Sequence, residues 1–597
     1  IGINTLLVGA GLLLTLVFDI GIAPQRMPDP FDFSFSIFPV VFHANELLAA
    51  VAIPIVLFGL FAFFRFTNIG IAVRASAERA DRAFLLGIPV KRIHTIVWVL
   101  ATMLATLGMI LRAGVVSMPI GRPLGPSILL TALAAAAIGR MERLPTIFFA
   151  SIGLGILGQA IVFNGNSLLV EPIMFPVILI TLLLQRRGQA GRAQEMGTSS
   201  WQAAEEVRPI PRELASLPEI RWGIRGLIAL LIVGLAIVPR FLSEGQISVA
   251  GAVLIFAIVG VSLVVLTGWA GQVSLGQIAF FGVGAAVAGA LATRMGWDIS
   301  ISIIAAGLAG AVSATIMGIP ALRIRGLFLA VITFGFAFAA SSYLLNKGYF
   351  GWWLPLGRYE RPPLFGRVAI DSELRFYYLV LASFILSVVA VRGLRRSRTG
   401  RVLIGTRENE RAMQAFGINV TRAKLTAFAL SGFLAAFAGG LFGFHQQTLG
   451  INSFLPEESL AVFVMVVVGG LGSVPGALLG ALWARGILYF LPVGFRFVTS
   501  GLGMVLMLMI LPGGLGSLMY RLRDMGLKWV AKRRDILVPS LVADSAETRY
   551  DRTAQIAAQQ FGRAGTGEEG TELPTANGEQ AEDLEASVPS GSMGRRK

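Results

Sequence analysis

The amino-acid sequence predicts an all-α fold, a polytopic transmembrane helical bundle of two related halves with short or broken helices among its spans. Three observations carry that expectation: long uncharged apolar runs, too little charge to coat a soluble surface, and an internal repeat at constant spacing. The runs IHTIVWVLATMLATLGMIL (93–111) and VAGAVLIFAIVGVSLVVLTGWAG (249–271) are each about 20 residues, the length that crosses a ~30 Å hydrocarbon core as helix. Of the 597 residues 55% are hydrophobic and 14% charged, with a mean hydropathy of +0.74. A soluble domain carries roughly a quarter of its residues charged.

Apolar spans fall at 1–20, 42–64, 93–111, 126–139, 146–164 and 168–185, which make a first half over 1–185. A polar stretch at 186–222 follows, holding Arg186, Arg187, Arg192, Arg208, Arg212 and Arg221, and reads as a cytoplasmic linker. Spans resume at 223–240, 249–270, 276–293, 300–318, 326–346, 375–392, 425–446, 458–470, 476–494 and 498–518, which make a second half over 223–518. The pieces at 126–139, 276–293 and 458–470 are short or glycine-rich and are expected to be re-entrant or broken helices. Such backbone is tolerated at membrane depth where it is buried in protein or lines a cavity. Residues 519–597 start with a basic segment (Arg521, Arg523, Lys528, Lys532, Arg533, Arg534). The polar tail beyond it has the composition of a disordered segment, either a docking tail or an inert extension.

Charge orients these spans. Residues 67–92 carry five Lys/Arg against two acids, and residues 393–424 carry eight against two. Basic loops stay on the cytoplasmic side. With both loops, the linker and the tail there, four, six and four spans separate successive cytoplasmic segments, so the topology closes.

Several function classes drop out. The chain has no cysteine, so disulfides and thiolate metal sites are excluded, and His43, His94 and His445 are scattered rather than clustered. A net charge of +16 would suggest nucleic acid in a soluble protein; here it gathers in loops between spans, so no nucleic-acid partner is expected. No G-x-x-x-x-G-K-[ST] and no Gly-Lys dipeptide occurs, so the phosphate-cradling loop of an ATPase is missing from the sequence. Any ATP is expected to be bound by separate subunits, and no cofactor is expected on this chain.

The repeat decides the architecture. TNIGIAVRASAERADRAFLLGIPVKRI (67–93) and SRTGRVLIGTRENERAMQAFGINVTRA (397–423) align at an offset of 330 residues. Gly70 meets Gly400, Glu78 meets Glu408, Gly87 meets Gly417 and Arg92 meets Arg422. Without a gap, Gly139 and Pro145 meet Gly469 and Pro475. Residue 1 corresponds to residue 331, so region 247–330 has no partner in the first half. The expectation that follows is a first half lacking roughly its first 85 residues, with three or four spans.

The repeated loop carries the chemistry. A short amphipathic helix is predicted over 72–86 and over 402–416, with Gly87 and Gly417 where a helix end wants a residue tolerant of positive φ. A cytoplasmic helix held between two spans is a rigid lever that can enter a groove on a soluble motor domain. A single such loop reads more simply as an orientation signal; two alike in length, spacing and polarity favour the lever.

The chain resembles the permeases of branched-chain amino-acid (and related amide or urea) ABC importers, with two permease types fused head to tail. In the second half the resemblance rests on LTGWAGQVSLGQIAFFGVGA (266–285), LRIRGLFLAVITFGF (322–336), RTGRVLIGTRENERAMQAFGINVTRAKLTAF (398–428) and VVVGGLGSVPGALLGA (466–481). In the first it rests on TNIGIAVRASAERADRAFLLGIPVKR (67–92), while the counterpart of GGLGSVPGA has become IGRMERLPT (138–146), with Arg140, Glu142 and Arg143 in place of small residues. The resemblance implies a partial permease unit over 1–185, a linker over 186–222, a second unit over 223–518 and a basic segment with tail over 519–597. It further implies a multi-pass protein of the plasma (inner) membrane, two cytoplasmic ABC ATPase subunits, and an extracytoplasmic solute-binding protein. The ATPase-coupling positions are then Glu78, Gly87 and Arg92 with Glu408, Gly417 and Arg422; Gly469, Gly470, Gly472 and Pro475 are pathway candidates.

The run Gly469-Gly470-Leu471-Gly472-Ser473 has apolar flanks, which favour close helix packing or a broken helix over a phosphate loop. Intramembrane ionisable residues are candidates for function. Glu46, Glu171, Glu457, Glu458 and His445 are few and lie near predicted span ends, so the pathway is expected to be nearly free of charge. That suits a zwitterionic or neutral solute. A secondary transporter or channel with duplicated halves is the alternative reading, since repeats and broken helices occur there too.

Overall fold

The structure is a computed structural model that describes residues 2–18, 27–37, 40–78, 80–116, 125–140, 143–165, 169–184, 211–215, 217–322, 327–355, 357–450, 454–486, 489, 493–511 and 513–534. Linker positions Arg186, Arg187, Arg192 and Arg208, the Glu142 position and the tail from 535 lie outside them. Among the described residues, nine helices are long and apolar enough to cross a membrane. The chain divides into two compact units, one over 1–209 with 221–523 and the other over 210–220 with 524–597.

In the larger unit the first half comprises α1 (Gly2–Val17), α2 (Ala44–Phe66), α3 (Asn68–Glu78), α4 (Ala80–Leu85), α5 (Val90–Val115), α6 (Gly125–Ile138), α7 (Leu144–Phe163) and α8 (Val170–Leu184). Its helices present apolar side chains outward, among them Phe58, Trp98 and Phe149, each at least 70% exposed. In water such a face is a liability; against lipid tails it is the expected surface. Ahead of α2 an antiparallel hairpin pairs Ser34–Ile37 with Val40–His43, an element hydropathy does not reveal.

A short helix α9 (Arg212–Ala215) precedes the second half, which begins with α10 (Pro218–Ile237), α11 (Glu244–Leu263), α12 (Gln277–Met295), α13 (Ile299–Ala321) and α14 (Leu327–Ala339). A one-turn α15 (Lys347–Phe350), α16 (Glu373–Arg396), α17 (Arg398–Glu408), α18 (Glu410–Ala415) and α19 (Val420–Gln446) follow. α20 (Pro456–Gly469), α21 (Val474–Ala481), α22 (Val493–Ile510) and α23 (Gly514–Arg533) complete it. α11 is apolar all round, so it belongs at the centre. Val253 through Leu263 are all buried there, against α16, α19, α20 and α21. Small residues let α19 approach its neighbours: Gly440 lies against Ala288 of α12 and Ala306 of α13.

The repeat extends to the elements. Shifted by 330 residues, α2 falls on α16, α5 on α19, α6 on α20 and α7 on the α21 region. The halves also exchange equivalent contacts: α1 packs on α22, while α14, the counterpart of α1, packs on α8, the counterpart of α22. This reciprocal pairing is what a pseudo-twofold contact between duplicated units produces. Leu130, Met174 and Ile178 of the first half share an apolar cluster with Phe280, Phe334 and Ala435 of the second.

Four expectations need correction. The glycine-rich stretch 276–293 is one unbroken helix, Gln277–Met295; the break lies before it, where α11 ends in a π-helical turn at Val264–Trp269. The span at 476–494 is α-helical only over Val474–Ala481 and passes into a π turn at Leu482–Gly486. The last span ends at Ile510, because Gly514 takes φ 73 and starts a new helix that carries the basic residues Arg521 to Arg533. Each predicted loop helix is two helices. By contrast 126–139 and 458–470 are short as expected, 14 residues each in α6 and α20.

In the smaller unit Leu214, Ile220, Leu527 and Ala531 are buried, and Arg534 is paired with Glu219.

Candidate functional site

The two basic loops are built alike. Thr67 caps the end of α2, its hydroxyl donating to the Phe63 carbonyl at 2.6 Å and accepting from the Gly70 amide at 3.0 Å. Ser397 does the same after α16, donating to Leu394 at 2.7 Å and accepting from Gly400 at 3.3 Å. The chain thereby folds back at once, and a methyl group at Gly70 or Gly400 would strike the backbone of the helix just left. This close approach is why glycine recurs there.

Asn409 breaks the second loop helix by accepting from the Ala412 amide at 2.9 Å, which starts α18 as an N-cap. Both loops then end on a left-handed glycine, Gly87 at φ 81 and Gly417 at φ 74. The closing bonds also match. Gly87 donates to Phe84 at 3.0 Å and Ile88 to Ala83 at 3.0 Å; Gly417 donates to Gln414 at 2.9 Å and Ile418 to Met413 at 3.1 Å. That pair of hydrogen bonds is the glycine C-cap predicted from sequence.

Glu78, Gly87, Arg92, Glu408, Gly417 and Arg422 are all exposed. So are the apolar tips beside the glycines: Phe84, Leu85 and Leu86 in the first loop, and Phe416 in the second. Sequence reasoning missed these tips, although their apolarity inside an otherwise charged loop was the available signal. Between the tip and the bundle Lys424 is paired with Glu410, holding α18 against α19.

The glycines expected along the pathway sit in a bend. Gly469 ends α20, Gly470 takes φ 103, and Ser473 starts α21 by accepting from the Gly476 amide at 2.9 Å. Gly469 and Gly470 are buried, Gly472 is half-buried and Pro475 is exposed. Methyl groups at Gly469 and at Gly476 would each strike the other's backbone carbonyl. Close packing of the two short helices thus accounts for Gly469, and the bend brings Leu471 and Gly472 against Gly268 of the π turn. Arg407 of α17 reaches the same place, donating to the Gly268 carbonyl at 2.5 Å.

The ionisable residues lie at helix ends. Glu46 accepts from the His43 amide at 2.8 Å, and Glu171, Glu457 and Glu458 are in first turns. Glu458 is paired with Arg485, whose guanidinium lies 4.0 Å over the Phe256 ring. At the Gln446 end of α19, Arg361 has a side chain 2% exposed; it donates to the Phe444 carbonyl at 3.0 Å and to Glu373 at 2.7 Å. Also missed was a set of buried uncharged polar residues around Gln277. Their signal was Ser, Thr and Gln within apolar runs.

This bundle, with two like loops exposed beside it, defines a duplicated multi-pass membrane protein. The family model for the branched-chain amino acid transport system permease component matches residues 1–184 and 246–512, and the chain belongs to that family. It is 32% identical over 278 residues to the high-affinity branched-chain amino acid transport system permease protein LivM of Salmonella typhimurium, covering 43% of this chain and 65% of that one. It is 30% identical over 142 residues to LivH of Escherichia coli K12, covering 23% of this chain and 45% of LivH. The autoinducer 2 import system permease protein LsrC of Enterobacter is 28% identical over 312 residues, 49% of this chain and 87% of LsrC. No solved structure matches.

Proposed function

We propose that this chain is the membrane permease component of an ATP-binding-cassette importer for branched-chain amino acids or related small amides or urea. It works in the inner (plasma) membrane with separate ATPase subunits and an extracytoplasmic solute-binding protein. The observation that carries this reading is the matched pair of loops. Each has the same glycine turn at its end, and each exposes an apolar tip, Phe84 to Leu86 or Phe416, beside charged neighbours. An exposed apolar tip on a rigid base is a docking feature. Two of them suit a pair of ATPase subunits, and the basic loops suit a cytoplasmic location for both. Glu78, Arg92, Glu408 and Arg422 then flank the docking tips, and the bend at Gly469, Gly470, Gly472 and Pro475 forms part of the solute path.

The test is reconstitution. The chain with its ATPases and binding protein in liposomes takes up leucine or valine only with ATP and binding protein present. Uptake driven by an ion gradient alone would replace this reading with a secondary transporter.

A further inference from the structure

Five buried uncharged polar side chains of the second half gather where α11 gives way to α12. Ser274, Gln277, Thr333, Ser431 and Ser459 are each at most 2% exposed. Gln277 Nε2 donates to Ser431 Oγ at 2.8 Å, and the Leu275 amide donates to Thr333 Oγ1 at 3.0 Å. The Ile278 amide donates to Ser459 Oγ at 3.3 Å, and the Gly276 amide to Ser274 Oγ at 3.3 Å. Gln277 Oε1 is buried without a hydrogen-bond partner among the described residues.

Polar groups at membrane depth are costly unless satisfied, and they mark pathways. Here the Ile278 amide in the first turn of the 19-residue α12, with the Leu275 and Gly276 amides just ahead of it, meets hydroxyl oxygens at the end where the helix dipole favours negative charge. A hydroxyl holds that place as a neutral acceptor; a carboxylate oxygen is the stronger one. Gln277 Oε1 is an acceptor lacking a donor, which an ammonium group supplies. One zwitterionic head group meets both demands. None of the five side chains is ionisable, so a solute with net charge finds no counter-charge among them.

Placement points the same way. Phe280, Phe334 and Ala435, near neighbours of Gln277, Thr333 and Ser431 in sequence, share an apolar cluster with first-half residues Leu130, Met174 and Ile178. In duplicated transporters, sites formed by interrupted helices lie at such contacts between halves. At the repeat offset Thr333, Ser431 and Ser459 correspond to Ile3, Ala101 and Leu129, so these hydroxyls are confined to the second half.

We propose that Gln277, Thr333, Ser431 and Ser459, with the Leu275, Gly276 and Ile278 amides at the start of α12, form the membrane-embedded recognition site for the head group of a small zwitterionic amino acid. The site rests on the importer reading. Its test uses the complete reconstituted complex with leucine, comparing solute moved per ATP hydrolysed for the unaltered chain, Gln277→Leu, Ser431→Ala and Ser431→Thr. Gln277→Leu and Ser431→Ala are expected to lower that ratio at least tenfold, and Ser431→Thr, which keeps the hydroxyl, to restore it to within about threefold. A ratio unchanged in Gln277→Leu and Ser431→Ala overturns the site, as does uptake that falls only in step with hydrolysis. If the unaltered complex shows no ATP-dependent leucine uptake, the importer reading fails and the site with it.

Discussion

Arg407 donates to the carbonyl oxygen of Gly268 at 2.5 Å, joining residues 139 apart in sequence. The arginine is on the loop helix α17, and the glycine is in the π turn that ends the central helix. Gly268 in turn lies against Leu471 and Gly472 of the glycine bend. Loop, central helix and bend therefore meet at one point, and movement of the loop has a direct route into the bundle.

Replacing Arg407 with Met keeps the aliphatic stem and removes the donor. A hydrogen bond involving a charged group contributes about 1.5–3 kcal/mol. The Arg407→Met chain is expected to insert and retain its ATPases, with ATP-driven uptake at least fivefold lower. Unchanged uptake would remove Arg407 from the route.

The matched loop ends predict matched effects. Gly87→Ala and Gly417→Ala force an L side chain into left-handed backbone, at a cost of about 1–2 kcal/mol each. Gly417→Pro also removes the amide that donates to Gln414. Together with Glu408→Lys, it is expected to lower ATPase co-purification at least tenfold while membrane insertion survives. Normal co-purification of both variants would assign the loop a purely structural role.

Asp298 caps α13, accepting from the Ser300 amide at 2.8 Å through one oxygen and from the Gly366 amide at 2.8 Å through the other. Partial burial pushes its carboxyl up, but the bonds from Ser300, Gly366 and Phe365 outweigh it and hold the group below its ordinary value of 3.8. A depressed value in the folded state means stability that is present above 3.8 and is lost as pH falls through the lower folded value. Thermal unfolding in detergent should therefore show Asp298→Asn losing less stability than the unaltered chain between pH 5 and 2, to give approximate limits. Asp298→Ala should cost about 0.5–2 kcal/mol at neutral pH.

Arg361 ties its loop to the ends of two helices, through Phe444 of α19 and Glu373 of α16, with its guanidinium 4.1 Å over the Phe376 ring. Removing one partner of a buried pair costs about 3–5 kcal/mol, less where the partner is part-exposed. Arg361→Met is expected to destabilise by about 2–4 kcal/mol, and Arg361→Met with Glu373→Gln by less than the separate effects combined. Strict additivity in the thermal-unfolding cycle would show that the pair is uncoupled.

Membrane class, duplication and the two special loops are legible in the sequence, because each is written in local composition or fixed spacing. Gly87 and Gly417 could be placed at helix ends because a positive φ selects glycine from a neighbourhood of a few residues. The break at Asn409 was missed: an Asn inside an amphipathic pattern does not announce that its side chain will cap a second helix. The span at 276–293 was misjudged because glycines in membrane helices serve close packing as often as bending. Gly284 meets Ala436 of a neighbouring helix, a partner that hydropathy cannot name.

By itself the sequence determined that this is a multi-pass helical protein of two related halves, since hydrophobic length and repeat spacing are properties of the chain read in order. The tertiary structure decided which glycines bend and which pack, that the halves exchange equivalent helix contacts, and that Arg407 meets Gly268. It also brought Gln277, Thr333, Ser431 and Ser459 together from four separate segments. These facts depend on contacts between residues far apart in the chain, and among spans so uniformly apolar many such pairings look alike until the helices are packed.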